Sequence, residues 1–227
     1  MCGIFGTTEL ERYKTLYKLN QDRGSFAFGG CYVSDTVAIQ KTAGIVHPCS
    51  IVNDYEYSLG HTQGPTSAVR EFDGETSHPF SVGDWVVAHN GVLSNDRELI
   101  SKFGLEHKTS EVDSSVIPAL LDYHEITLPG TDHEIEAITD TLLELSGTYS
   151  VWLVNKKSNN IYLARVGSTL FLSKDRREFS SRTTKGFKSI PEGVLLKYNK
   201  KRMIFEQVSV FEYDSPSATE DNVTAME

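Results

Sequence analysis

The chain has 227 residues, of which 39% are hydrophobic and 23% charged, with a formal net charge of −9 and a pI of about 5.3. This is an ordinary soluble composition, long enough to bury a sizeable core. An acidic surface does not suit phosphate-backbone binding, which sets nucleic acid aside as a partner, and no apolar run is long enough to span a bilayer, which sets the membrane aside.

The chain opens Met1-Cys2-Gly3-Ile4-Phe5-Gly6 and turns polar and acidic almost at once, which is not the pattern of a signal peptide. Ile4 anchors a first strand. A helical pattern follows over Glu9 to Asn20, with Leu10, Tyr13, Leu16 and Tyr17 on one face and Thr8 and Glu11 spaced as a capping box. Apolar alternation over Phe26 to Val33 predicts a strand. The cysteines, Cys2, Cys31 and Cys49, are odd in number and irregular in spacing. They form no disulfide framework and no zinc knuckle, so a reducing, cytoplasmic setting is expected.

The segment from Gly60 to Arg70 is polar, with Gly64 and Pro65 within it. It reads as a strand end running into a mobile loop, a lid hinged at Gly60 and Gly64. Trp85 to His89 alternates as a strand that should end in a turn at Asn90-Gly91. Helices are predicted from Asp96 to Phe103, with Asn95 and Glu98 capping and Gly104 as the stop, and from Glu111 to about Tyr123, kinked or ended by Pro118. A further helix covers Asp132 to Ser146, capped by Thr131 and Glu134, with Ile135, Ile138, Leu142 and Leu145 on one face. Strands follow over Tyr149 to Val154, Ile161 to Arg165 and Val194 to Tyr198. Helices grouped between runs of strands point to layered sheets covered by helices. The expected organisation is one domain over 1–214 and a loose tail over 215–227.

Cys2 stands out chemically. Removal of Met1 would leave a thiol and a free α-amine on one residue, and an α-amine has a pKa of about 7.7–8.0. Nucleophile and base then come from the same residue. Asn90 and Gly91 offer a side-chain amide beside a backbone N–H, two donors of the kind a tetrahedral oxyanion requires. Asp113, in Ser110-Glu111-Val112-Asp113-Ser114-Ser115, is placed either to complement a helix dipole or to hold a substrate ammonium.

Taken together these segments resemble the class II glutamine amidotransferases of the N-terminal nucleophile hydrolase superfamily. Cys2-Gly3-Ile4-Phe5-Gly6 is similar to the family's N-terminus and Arg23-Gly24-Ser25-Phe26-Ala27-Phe28-Gly29 to its Arg-Gly-x-x-x-x-Gly segment. Gly60-His61-Thr62, His89-Asn90-Gly91, Ser110 to Ser114, Gly147 to Ser150 and Ala164 to Leu170 resemble later family segments, in family order, over nearly the whole chain. The resemblance implies an α+β fold, a four-layer αββα sandwich of two mostly antiparallel sheets. It implies Cys2 as nucleophile, Asn90 and Gly91 as oxyanion donors and Asp113 as the ligand of the glutamine ammonium. Arg23 would support the nucleophile strand, and His61, Thr62, Gln63, Thr66 and Arg70 would lie at the substrate. No metal and no cofactor are implied.

One departure stands out. The family places an arginine after Gly-His-Thr, paired with the glutamine α-carboxylate; this chain has Gln63 there. A Gln amide donates a hydrogen bond but supplies no charge. Either Arg70 fills the role, or glutamine binds more weakly, or the substrate differs. With little sequence after Tyr213, the ammonia is expected to go to a separate synthetase. The alternatives are an amidohydrolase for another amide and a non-catalytic regulatory module of the same fold.

Overall fold

Strand β1 (Gly3–Thr7) is buried along its length, and its alternation sets the layering. Ile4 points into one core with Cys31, Leu59, Val86 and Trp152, while the next residue, Phe5, points to the other side and packs with Tyr13, Leu16, Tyr17 and Phe28. The computed structural model describes residues 2–47, 55–64, 71–128 and 133–214.

Helix α1 (Leu10–Asn20) covers the outer side of this first sheet with the stripe Tyr13, Leu16 and Tyr17. Strands β2 (Ala27–Val33), β3 (Val37–Ala43) and β4 (Tyr57–Gln63) follow, then β5 (Phe80–Val82) and β6 (Trp85–Leu93). Helices α2 (Asp96–Phe103), α3 (Val116–Thr127) and α4 (Glu134–Glu144) form the next run. The chain then returns through β7 (Gly147–Asn155), β8 (Asn160–Val166), β9 (Phe171–Ser173), β10 (Phe179–Ser180), β11 (Phe187–Ser189), β12 (Val194–Asn199) and β13 (Ile204–Val210).

The described strands form two antiparallel sheets, ordered β11-β9-β10-β1-β4-β2-β3 and β13-β12-β8-β7-β6-β5. Their facing sides enclose one core, in which Val86, Ala88 and Trp152 of the second sheet meet Ile4, Cys31 and Leu59 of the first. The far side of the second sheet, through Trp85, Val87, Val151 and Leu153, packs on Leu120 and Leu121 of α3 and Ile138 and Leu142 of α4. The layers therefore run helix, sheet, sheet, helices, the α+β sandwich expected. No described helix is long and apolar enough to cross a membrane.

Several local expectations need correction. Asn90 and Gly91 form no turn: β6 runs on to Leu93, paired with β7 through Asn90↔Ser150 and Gly91↔Tyr149. Gly60 is no hinge, because Gly60 to Gln63 lie inside β4, and a Cβ on Gly60 would meet the Phe5 ring at 2.2 Å. The third helix begins at Val116, after a 3-10 turn at Asp113–Ser115. Pro118 falls in its first turn, where a missing N–H leaves no helical bond unmade. Thr8 does not cap α1, which starts from Glu9 without a side-chain cap. Asn95 stands at the start of α2, but its side chain binds elsewhere: Nδ2 donates to Glu144 O at 2.8 Å and Oδ1 accepts from Ser146 N at 3.0 Å, tying α2 to the end of α4. Gly104 closes α2 in the left-handed region as expected, while Ile135 is exposed rather than buried with Ile138 and Leu142. Cys49, Thr66, Arg70, Thr131, the tip of the expected lid and the tail 215–227 lie outside the described residues.

Candidate active site

Cys2 precedes β1, is half-buried and lines a cavity of about 560 Å3. Two pieces of backbone fix the start of β1 there. Ile4 N donates to Ser181 Oγ at 3.0 Å, and Ser181 N donates to Ile4 O at 2.8 Å. Thr169 Oγ1 donates to Ser181 O at 3.0 Å and itself accepts from Arg23 Nη2 at 2.9 Å. Arg23 thus reaches β1 through Thr169 and Ser181. Gly24 makes the neighbouring close approach possible, because a Cβ there would lie 2.2 Å from the backbone of Gln63 and Gly64.

The Cys2 sulfur is 4.0 Å from Gly64 O. Burial pushes its thiol up, the Gly64 backbone and the Arg23 charge pull it back, and the Asp113 carboxylate pushes it up again. A buried thiol of this kind stays protonated until a base removes the proton.

The cavity is lined by Gln63, Gly64 and His78 with Cys2, by His89, Gly91, Val92 and Leu93 of β6, by Glu111, Val112, Asp113 and Ser114, and by the exposed Arg97 of α2. Gln63 Oε1 accepts from His78 N at 3.3 Å. Asp113 is held by three donors: Leu93 N at 2.8 Å, Ser114 N at 2.8 Å and Ser114 Oγ at 3.2 Å. His89 links this acid to β7, with Nδ1 2.8 Å from Ser114 Oγ and Nε2 3.2 Å from Thr148 O. Gly91 has φ 152°, and a Cβ there would come within 2.0 Å of Thr148 O, so the strand passes this point only with glycine.

The remaining residues singled out in the sequence sit around this cavity rather than in its wall. Asn90 is buried, and its Nδ2 donates to Ser168 Oγ at 2.9 Å. His61 donates from Nε2 to His89 O at 3.2 Å and stacks on His78 at 4.0 Å between ring centroids, joining the two sheets. Burial drives the His61 imidazole down to about 3, so it is neutral; burial lowers His89 as well. Thr62 faces the opposite way and donates from Oγ1 to Asn20 O at 2.8 Å. The sequence reading did not single out His78, Ser114, Arg97 or Ser168. Ser114 and Ser168 lay within segments that resemble the family's, whereas nothing local marks His78 or Arg97, which only the fold brings to the cavity. Among the described residues no three His, Cys, Asp or Glu side chains converge as a metal-binding group.

A family model described as a glutamine amidotransferase domain matches residues 68–184. Among curated proteins, the chain is 25% identical over 197 residues to 7-cyano-7-deazaguanine synthase 2 of Sulfurisphaera tokodaii, covering 78% of this chain and 41% of that one. It is 31% identical over 174 residues to the glutamine–fructose-6-phosphate aminotransferase of Methanococcus maripaludis, covering 69% and 28%. The chain thus spans well under half the length of these relatives. Among solved structures, glutamine phosphoribosylpyrophosphate amidotransferase from B. subtilis superposes with a TM-score of 0.72 at 16% identity, covering 94% of this chain and 50% of that one. That likeness is one of fold.

Proposed function

Because the chain belongs to the glutamine amidotransferase domain family, we propose that it hydrolyses the side-chain amide of glutamine through a thioester on Cys2 and passes the ammonia to an acceptor domain or enzyme. The observation that carries this reading is the shared cavity of Cys2, Gly91 and Asp113. It supplies a nucleophile, a backbone donor and an acid for an α-ammonium around one space.

With Met1 removed, the Cys2 amine takes the thiol proton and the thiolate attacks the δ-carbonyl carbon. The Gly91 N–H holds the resulting oxyanion, joined by the Asn90 amide hydrogen not used by Ser168 once that side chain turns from behind the cavity wall toward the substrate. Collapse breaks the C–N bond, and the protonated amine returns its proton to the leaving ammonia. Water then attacks the thioester with the same amine as base, releasing glutamate. Arg23 and His61 serve as positioning residues, one for the nucleophile strand and one for the strand that carries Asn90. Thr62 holds the end of α1 against β4. Gln63 stays in the wall of the cavity.

Incubating the protein separately with glutamine and asparagine, and measuring ammonia with glutamate or aspartate, tests the reading. Ammonia and glutamate in equal amounts are expected from glutamine. Equal turnover of both amides would instead favour a broad amidohydrolase.

A further inference from the structure

The cavity that contains Cys2 carries both signs of charge. Asp113 and Glu111 supply acid, and Arg97 is the single Arg or Lys among its lining residues. Arg97 makes no hydrogen bond or ion pair with any described residue, Glu111 and Asp113 included. Asp113, by contrast, is tied to Leu93 and Ser114 on the same wall.

Arg97 is also well mounted. It is the second residue of α2, two positions after Asn95, whose side chain pins the helix to Glu144 and Ser146. It is two positions before Leu99, which is buried in the core. Residues two apart on a helix face away from each other, so burial of Leu99 turns Arg97 toward solvent and the cavity rim. Gln63 offers no charge, and its Oε1 is engaged by His78 N.

An α-amino acid places ammonium and carboxylate on one carbon, so a site that reads both needs an acid and a cation facing the same small space. We infer that Arg97 is the specificity-determining cation of this site: it binds the substrate α-carboxylate through its guanidinium fork while Asp113 binds the α-ammonium. The inference rests on the glutaminase reading and adds to it a requirement for a free amino-acid head group, supplied from α2 rather than from the strand that carries Gln63.

The test compares wild type, Arg97→Ala, Arg97→Lys and Arg70→Ala in glutamine kinetics and in calorimetric binding of glutamine, with 4-aminobutanamide, which keeps ammonium and amide but lacks the carboxylate, as second substrate. Loss of a charge-assisted contact should raise KM and Kd for glutamine about 10- to 100-fold in Arg97→Ala, with kcat little changed. Arg97→Lys should recover part of the loss. Kinetics with 4-aminobutanamide should be the same in wild type and Arg97→Ala. Unchanged glutamine affinity in Arg97→Ala, or equal losses on both substrates, overturns the inference, as does a loss confined to Arg70→Ala. Wild type that binds glutamine without hydrolysing it defeats the glutaminase reading while the binding data still decide on Arg97. Wild type that binds no glutamine defeats both.

Discussion

The thiol of Cys2 is held up by burial and by the Asp113 carboxylate, which makes it a poor spontaneous nucleophile. On the proposed mechanism its reactivity comes from a base poised beside it, a need that the α-amine of a mature Cys2 meets near neutral pH. Cys2→Ala and Cys2→Ser should therefore lose ammonia release, while Cys31→Ala keeps it. Cys31 lies in the inter-sheet core, with burial pushing its thiol far up. Equal loss in Cys31→Ala would move the nucleophile away from Cys2. Asn90→Ala should slow thioester formation by roughly 10²–10³ in single-turnover experiments, with little change in glutamine binding. A raised KM with unchanged turnover would make Asn90 a ground-state contact instead.

His61 gives a residue-scale prediction of stability. Its folded value of about 3 lies below the roughly 6.5 of an unfolded histidine. Its stabilising contribution is complete above that unfolded value and is lost as pH falls toward 3, because unfolding then takes up a proton that the fold refuses. The loss is about 1.4 kcal/mol per pH unit at most. Urea unfolding of His61→Gln between about pH 7 and 5 should show a shallower pH dependence than wild type; an identical slope would place the proton uptake elsewhere, with His89 the next candidate, since burial lowers it too.

At the scale of elements, the site depends on two places where backbone passes very close to backbone. Gly24 lies against Gln63 and Gly64, and Gly91 against Thr148 O. Gly91→Ala combines a steric clash with a φ that side chains rarely adopt, so it should lower the unfolding free energy by about 1–3 kcal/mol and abolish turnover. Full activity in that variant would show that β6 can shift without harm to the site. The sequence marked Asn90-Gly91 as chemically important but misread its conformation. Local pattern favours a turn at Asn-Gly, whereas cross-strand pairing with Tyr149 and Ser150 keeps β6 extended. Pro118 was misread for a related reason: the 3-10 turn at Asp113–Ser115, fixed by Asp113 and Ser115 side-chain bonds, delays the start of α3 so that the proline falls in its first turn.

Across the whole molecule, two sheets share one core, and the cavity at Cys2 draws on both. Strands such as β2 and β7, legible in the sequence, are buried along almost their whole length. Strand β3 escaped notice because none of its residues is buried, and β9 to β11 because three residues or fewer show no period. Of the residues that line the cavity, Cys2, Gly91 and Asp113 stood out in the sequence, where chemistry and backbone demand particular residues. Arg97 and His78, which only the fold brings to the cavity, did not. Trp152 joins the sheets directly, fully buried between them with Nε1 donating to Gly60 O at 3.2 Å. Trp152→Ala should cost about 3–5 kcal/mol in urea unfolding; a loss below about 1 kcal/mol would mean that the sheets are held together elsewhere.

The central claim is a glutamyl thioester on a Cys2 that carries its own free amine. Protein mixed with glutamine, quenched in acid and digested, can be mapped by mass spectrometry for both the first residue and the site of the adduct. A glutamyl group on a peptide that begins at Cys2 is the predicted result. An active protein that retains Met1, or an adduct on the peptide of Cys31 or Cys49, would contradict it.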